Sequence, residues 1–296
     1  MLMNRAPVDP ELLCWARERA GLDRGNLTHR FPKLREWEAG ERQPTLRQLE
    51  DFARAVRVPV GYLFLSEPPE EPLPIPDLRT IQSRGVGRPS PELLDTLYAC
   101  QERQDWYREH AQIAGQAPYR FVGSAELKTP PEKAAEAICQ ALGIEVADRQ
   151  GCKDWSEALR LFSSQADAAG ILVMVNSVVL NNTHRLLDPE EFRGFALADR
   201  FAPLVFLNGA DTKAAQIFTL AHELAHIWLG TSALSDASPA GVGGGQREET
   251  WCNQVAAQVA AEVLAPLELV SAELRPQEPL KQTLQRLTQT FKVSLW

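Results

Sequence analysis

Thr219-Leu220-Ala221-His222-Glu223-Leu224-Ala225-His226-Ile227-Trp228-Leu229-Gly230 is the stretch on which the reading of this 296-residue chain turns. It contains His-Glu-x-x-His, the pattern of zinc hydrolases. Positions four apart on a helix lie one turn above each other on one face, so His222 and His226 aim their imidazoles at one point. Two neutral imidazoles at that spacing suit Zn²⁺, and Glu223 is placed to take a proton from a water attacking a carbonyl. The flanks support a helix: Asp211 as N-cap, an apolar face of Ala214, Ala215, Phe218, Ala221, Ala225 and Leu229, and Gly230 as the stop.

Upstream, the chain reads as mixed α/β. Thr129-Pro130-Pro131-Glu132 looks like cap, proline and capping-box acid for a helix ended by Gly143, and a second helix covers Trp155 to Ala168. Apolar runs at Gly170–Val175, Phe192–Leu197 and Leu204–Asn208 have strand length and lead into the motif helix. They predict a small sheet whose edge can hold an extended peptide by backbone pairing. Downstream, Ser232 to Gly245 is rich in Gly, Ser and Ala and reads as a flexible connection. A helix then opens near Glu248 and ends near Pro266, and an amphipathic one runs from about Pro279 to Phe291.

Two histidines leave a catalytic zinc one protein ligand short. The third histidine of the longer H-E-x-x-H-x-x-G-x-x-H pattern is missing, because Leu229 and Ser232 hold the glycine and histidine positions. A carboxylate from a later helix is therefore expected, with Glu248, Glu249 and Glu262 as candidates. His184, in the polar loop after Asn181-Asn182-Thr183, is a weaker candidate for holding an oxyanion and reads more simply as an exposed loop residue.

Residues 9–66 form a string of short helices. Asp9-Pro10 caps the first, Asp23 a second through His29, and Pro32 starts a third, Lys33 to Glu38, closed by Gly40. Thr45 and Gln48 make a capping box for the fourth, and Val60–Leu65 is a fifth apolar segment. Trp37-Glu38-Ala39-Gly40-Glu41-Arg42-Gln43-Pro44-Thr45, with the next helix and Val58-Pro59, resembles the second half of an XRE-type (Cro-like) helix-turn-helix domain. That resemblance implies double-stranded DNA as a partner, with Lys33 and Arg35 facing it, Arg42 and Gln43 on the phosphate backbone, and Arg30 as a weaker contact. Gly25, the short Phe31-Pro32 turn, and Glu36 and Glu38, which phosphates repel, depart from the pattern.

Bulk charge agrees with a local DNA-binding piece. The chain carries −8 overall, yet residues 1–66 hold eleven Lys and Arg against nine Asp and Glu. Five scattered cysteines without a C-x-x-C fit reduced thiols, and no secretory leader or membrane-length apolar run is seen, so a cytoplasmic protein is the expectation. Ser66 to Pro76 is proline-rich and acidic and reads as a semi-rigid spacer. Ser90-Pro91 starts a long helix to about Ala114 that is expected to pack between two domains.

Glu249-Thr250-Trp251-Cys252-Asn253, the alanine-rich Val259-Ala260-Ala261-Glu262-Val263-Leu264-Ala265-Pro266, and Arg193-Gly194-Phe195-Ala196-Leu197-Ala198-Asp199 ahead of the motif helix complete a pattern. Together these segments resemble the ImmA/IrrE family of metallopeptidases, which carry E-x-x-x-N before an alanine-rich helix and proline. The resemblance implies Glu249 as the third metal ligand with His222 and His226. Glu248 is the runner-up, and after Gln246-Arg247 it reads more comfortably as solvated. Cys252 is expected to be packed. Val255–Gln258 is nearly repeated by Val259–Glu262, like one extra helical turn, and the chain ends where relatives usually continue into further helices.

The expected fold is α+β. An N-terminal all-α helix-turn-helix domain spans residues 1–66, and a proline-rich spacer with a linking helix spans 67–128. A mixed α/β, zincin-like metallopeptidase domain with a small sheet spans 129–296. The expected activity is that of a zinc endopeptidase with Glu223 as catalytic base. The family likeness implies a protein substrate of the helix-turn-helix repressor kind, cut under stress or mobile-element control. Mn²⁺ or Fe²⁺ suits the same ligands. The rival reading is a DNA-binding transcriptional regulator or antitoxin-like protein whose peptidase fold is a non-catalytic scaffold.

Overall fold

The helix built on the motif, Lys213–Leu229, is surrounded by the rest of its unit: every residue from Gln216 to Trp228 is buried. The sequence predicts one apolar face, but Ile217, Leu220, Leu224 and Ile227 fill the others, as in a helix at the centre of a core. The structure is a computed structural model that describes residues 5–78, 89–144, 152, 154–235, 247–264, 267–275 and 278–291. The chain divides into two compact units, Met1–Pro74 with Arg88–Asp95, and Ile75–Gly87 with Thr96–Trp296.

The first unit is all helical where described: α1 (Pro10–Arg19), α2 (Arg24–Thr28), α3 (Leu34–Glu38), α4 (Leu46–Ala55) and a 3-10 turn at Val60–Phe64. Asp9 caps α1 by accepting from Glu11 N, and the Thr45–Gln48 capping box is present at α4. Phe31 and Trp37 each meet Phe52 edge-on at its centre and are tilted against each other, with Leu12, Leu13, Leu49 and Leu63 fully buried around them. Glu38 does not face outward, as the reading of α3 supposes. Its carboxylate is buried, 2.6 Å from Arg17 Nε and paired also with Arg24, which neutralises it.

In the second unit, α5 (Pro91–Ile113, shared with the first), α6 (Pro131–Leu142), α7 (Trp155–Ala168), α8 (Lys213–Leu229), α9 (Arg247–Leu264), α10 (Leu267–Glu273) and α11 (Leu280–Phe291) accompany two small sheets. The main sheet has the order β1 (Leu172–Asn176), β5 (Leu204–Asn208), β4 (Gly194–Leu197), β6 (Ala233–Ser235). β1 is parallel to β5, which is antiparallel to β4, which is antiparallel to β6. β2 (Val178–Val179) and β3 (Asn182–Leu186) form a separate hairpin. β4 and β5 are buried throughout, and α8 packs on both. α6, α7 and α9 cover α8 on its other sides.

Several local expectations shift. Thr212, not Asp211, caps α8, its hydroxyl accepting from Ala215 N. Pro130, not Thr129, precedes α6, because the Thr129 hydroxyl accepts from Glu126 N instead. The stretch after Gly230 is not wholly a connection: Ala233–Ser235 is strand β6, paired with Gly194, Phe195 and Ala196, while residues 236–245 lie outside the described chain. β6 therefore takes the sheet edge that looked open to a peptide. Its own outer side is lined by the proline-rich segment, with Leu234 N donating to Pro76 O and Leu78 N to Leu234 O. The near-repeat in α9 extends one continuous helix whose buried stripe, Val255, Ala256, Val259, Ala260 and Val263, keeps its face.

Candidate metal centre

α8 presents His222 and His226 one turn apart, and α9 packs across it to bring Glu249 to the same point. His222 Nε2 and His226 Nε2 are 3.2 Å apart. Glu249 Oε1 lies 3.1 Å from His226 Nε2, and its Oε2 3.4 Å from His222 Nε2. Both imidazoles are fully buried and Glu249 is 4% exposed. Two segments that nothing in the sequence obliges to touch thus converge on one buried spot.

Each imidazole is also held from behind. His222 Nδ1 faces Asn253 Oδ1 at 3.1 Å, and His226 Nδ1 faces Thr231 Oγ1 and Glu248 Oε1, both at 3.3 Å. Glu248 is half-buried rather than solvated and lies outside the cluster of three, touching the far side of His226. Glu262 is exposed, thirteen residues beyond Glu249 and hence about 20 Å along the helix, away from the cluster. His184 is exposed on β3, outside the cluster. Cys252 is packed and fully buried one turn after Glu249.

Glu223, the residue after the first histidine, is fully buried. Ser235 of β6 donates a 2.5 Å hydrogen bond to its Oε1, while Oε2 has no partner among the described residues. Gly194 of β4 leaves room for this carboxylate. A Cβ there would sit 2.6 Å from Thr219 Cγ2, 2.8 Å from Phe206 O and 3.4 Å from Glu223 Oε1. Sequence reading missed Ser235, which lies in no motif, and the closeness of Gly194 to Glu223, although Gly194 stands in the Arg193–Asp199 segment; both act through strand pairing.

Electrostatics favour a cation at the convergence point. Burial opposes charge on His226, yet Cys252, Glu248 and Glu249 around it raise its pKa well above the ordinary value. Burial likewise pushes the Glu249 carboxyl up, but the bonds with His222 and His226 win and hold it down at about 2. Burial raises the Glu223 carboxyl, against the pull of both histidines and Ser235. Two ring nitrogens and a carboxylate, all lone-pair donors to a metal, form a set that fits a divalent ion such as Zn²⁺. The unpartnered Glu223 Oε2 beside that set is where a water would find an acceptor.

In the helical unit, Arg30 and Arg35 are exposed, Arg30 with its guanidinium over the Phe31 ring. Lys33 is half-buried at the start of α3. Arg42 is 3.5 Å from Glu36, so its charge is shared within the unit. Gln43 is tied to the backbone of Val8: its Oε1 accepts from Val8 N and its Nε2 donates to Val8 O.

A sheet-backed helix bearing two histidines, completed by a carboxylate from a following helix, is a metallopeptidase-like scaffold. Residues 166–295 match the family model Peptidase_M78, the IrrE N-terminal-like domain, a span that runs from the end of α7 through α11. No curated protein and no solved structure matches the chain. Among the described residues no helix is long and apolar enough to cross a membrane.

Proposed function

We propose that the chain is a metal-dependent endopeptidase, with His222, His226 and Glu249 as the metal ligands and Glu223 as the general base. The observation that carries this reading is the meeting of α8 and α9 side chains around one buried point, with a catalytic-type carboxylate beside it. A divalent ion bound there would supply Lewis acidity, lowering the pKa of a coordinated water toward about 7 and polarising a peptide carbonyl. The protein groups do the rest. Glu223 takes the proton of the attacking water on its free Oε2 and delivers it to the departing amine, while Ser235 holds the other oxygen still. Burial raises the Glu223 carboxyl above the ordinary carboxylate value, so it holds a proton more readily than an exposed glutamate does.

The Peptidase_M78 match supports the peptidase class, and Zn²⁺ is the ion we assign, with Mn²⁺ or Fe²⁺ suited to the same donors. We further assign residues 1–66 to an XRE-like DNA-binding module acting through Arg30, Lys33 and Arg35, and a helix-turn-helix repressor as substrate. In support stand the compact helical unit and its exposed arginines. The test exposes Zn²⁺-loaded full-length chain to a proteome-derived peptide library and maps new termini by mass spectrometry. The wild type is expected to generate a consistent cleavage pattern that Glu223→Gln abolishes. A pattern unchanged in Glu223→Gln, or none in the wild type, would leave the rival reading, a regulator on a non-catalytic scaffold. Loss of operator binding in Arg35→Ala supports the DNA-binding module under either reading.

A further inference from the structure

We propose that Glu248 is a positioning residue for the metal centre. It accepts the Nδ1–H of His226 and so fixes the tautomer that turns a bare Nε2 toward His222 and Glu249. The inference rests on the metal reading of those three groups, and is independent of what the chain cleaves.

The hydrogen positions follow by elimination. Thr231 Oγ1 has one hydrogen, and at 2.6 Å from Glu248 Oε1 it donates that hydrogen to a carboxylate that has none to give. Thr231 Oγ1 can therefore only accept from His226 Nδ1, 3.3 Å away. Glu248 Oε1, at 3.3 Å from the same nitrogen, is a second acceptor. Facing two acceptors, Nδ1 carries a hydrogen, and with Nε2 given to the metal between it and Glu249 that hydrogen is the only one on the ring. An anion on Nδ1–H also makes the ring a stronger donor through Nε2. His222 reaches the same tautomer through the neutral amide oxygen of Asn253, so the two imidazoles differ: His226 alone has a carboxylate behind it.

Helix geometry explains why neighbouring glutamates take different tasks. Consecutive helical residues point about 100° apart, so Glu248 and Glu249 bracket one imidazole, one at each nitrogen. The third member arrives by a turn. Gly230 adopts φ +73° after α8, which brings Thr231 N to His226 O at 3.0 Å and sets its hydroxyl against the ring. A side chain at Gly230 would be strained by that φ, and its Cβ would lie 2.9 Å from Gly123 Cα.

Chelator-stripped full-length chain titrated with Zn²⁺ against a chromogenic chelator gives a Kd without any substrate. Glu248→Ala is expected to bind about 10–100-fold more weakly than wild type. Glu248→Gln, which keeps the accepting oxygen, should stay within about threefold. Glu262→Ala, exposed on the same helix, should match wild type. Wild-type affinity in Glu248→Ala overturns the proposal, as does a Glu248→Gln as weak as Glu248→Ala. If the wild type binds no better than His222→Ala, the metal reading itself falls and takes this inference with it. The ¹⁵N imidazole spectrum of the Zn²⁺-loaded wild type reads the tautomer without any variant. A hydrogen on His226 Nδ1 is expected, and a bare Nδ1 overturns the assignment.

Discussion

Ser235 Oγ donates to Glu223 Oε1 at 2.5 Å, joining the last residue of β6 to the acid of the motif helix twelve positions earlier. The bond is fully buried, so nothing in the solvent replaces it. Ser235→Ala leaves a carboxylate oxygen without its donor, which costs about 1–3 kcal/mol. A lower urea midpoint and slower cleavage, with Zn²⁺ content unchanged, are the expected results. Full cleavage by Ser235→Ala would show that Glu223 needs no such restraint.

Gly194 sits where β4 passes over that carboxylate. Gly194→Ala pushes a methyl against Thr219 Cγ2 and Phe206 O at distances real Cβ atoms do not tolerate. Overpacking of this kind costs about 1–3 kcal/mol. Chemical denaturation should register the loss, and wild-type stability would mean that β4 can move away from α8.

Metal removal should weaken the fold. Zn²⁺ at a thousandfold above its Kd stabilises the chain by about 4 kcal/mol, and a protein of this size shifts by about 2–4 °C per kcal/mol. Differential scanning fluorimetry should therefore show a Tm about 8–16 °C lower in excess chelator. His222→Ala should melt at one temperature with or without Zn²⁺. A wild type indifferent to chelator would argue against a structural contribution from the ion.

Within the helical unit, Glu38→Ala leaves the guanidinium of Arg17 buried without its carboxylate. Removing one partner of a buried pair costs about 3–5 kcal/mol, so this unit should lose its cooperative melt by near-UV circular dichroism. Gln43→Ala breaks two bonds to Val8 and should cost about 1–3 kcal/mol, whereas Arg35→Ala should leave the melt unchanged.

Burial pushes the Cys100 thiol up to about 12 and the Cys139 thiol to about 11. Only the thiolate reacts, so a raised pKa lowers reactivity at any pH below it. Iodoacetamide at pH 8 should leave both largely unmodified in the native chain. Labelling of Cys139 should rise about tenfold per pH unit below its pKa. Fast labelling of Cys100 at pH 8 would contradict its packing.

How far these features could be read in advance depends on how local they are. His222 and His226 were legible because four residues on a helix fix a direction, and Glu223 because it is their neighbour. The strand runs at β1, β4 and β5 were legible because each is a short apolar run of strand length, although only β4 and β5 are buried throughout. Glu249 came from a family likeness alone, since its spacing from α8 carries no geometric constraint. β6 was hidden in a stretch of small residues without periodicity, and its pairing with β4 is a long-range event. The partners of Gln43 and Glu38, Val8 and Arg17, were not legible because the fold brings them together from 35 and 21 residues away.

The sequence by itself determined the motif helix, the pair of imidazoles one turn apart, and the alternation of strand and helix around them, because all of these follow from short-range backbone geometry. Only the tertiary structure brought Glu249 against the imidazole pair, set Glu248 behind His226 and closed Ser235 on Glu223. Those choices depend on how α9 and β6 pack against α8, and packing is set by side chains far apart along the chain.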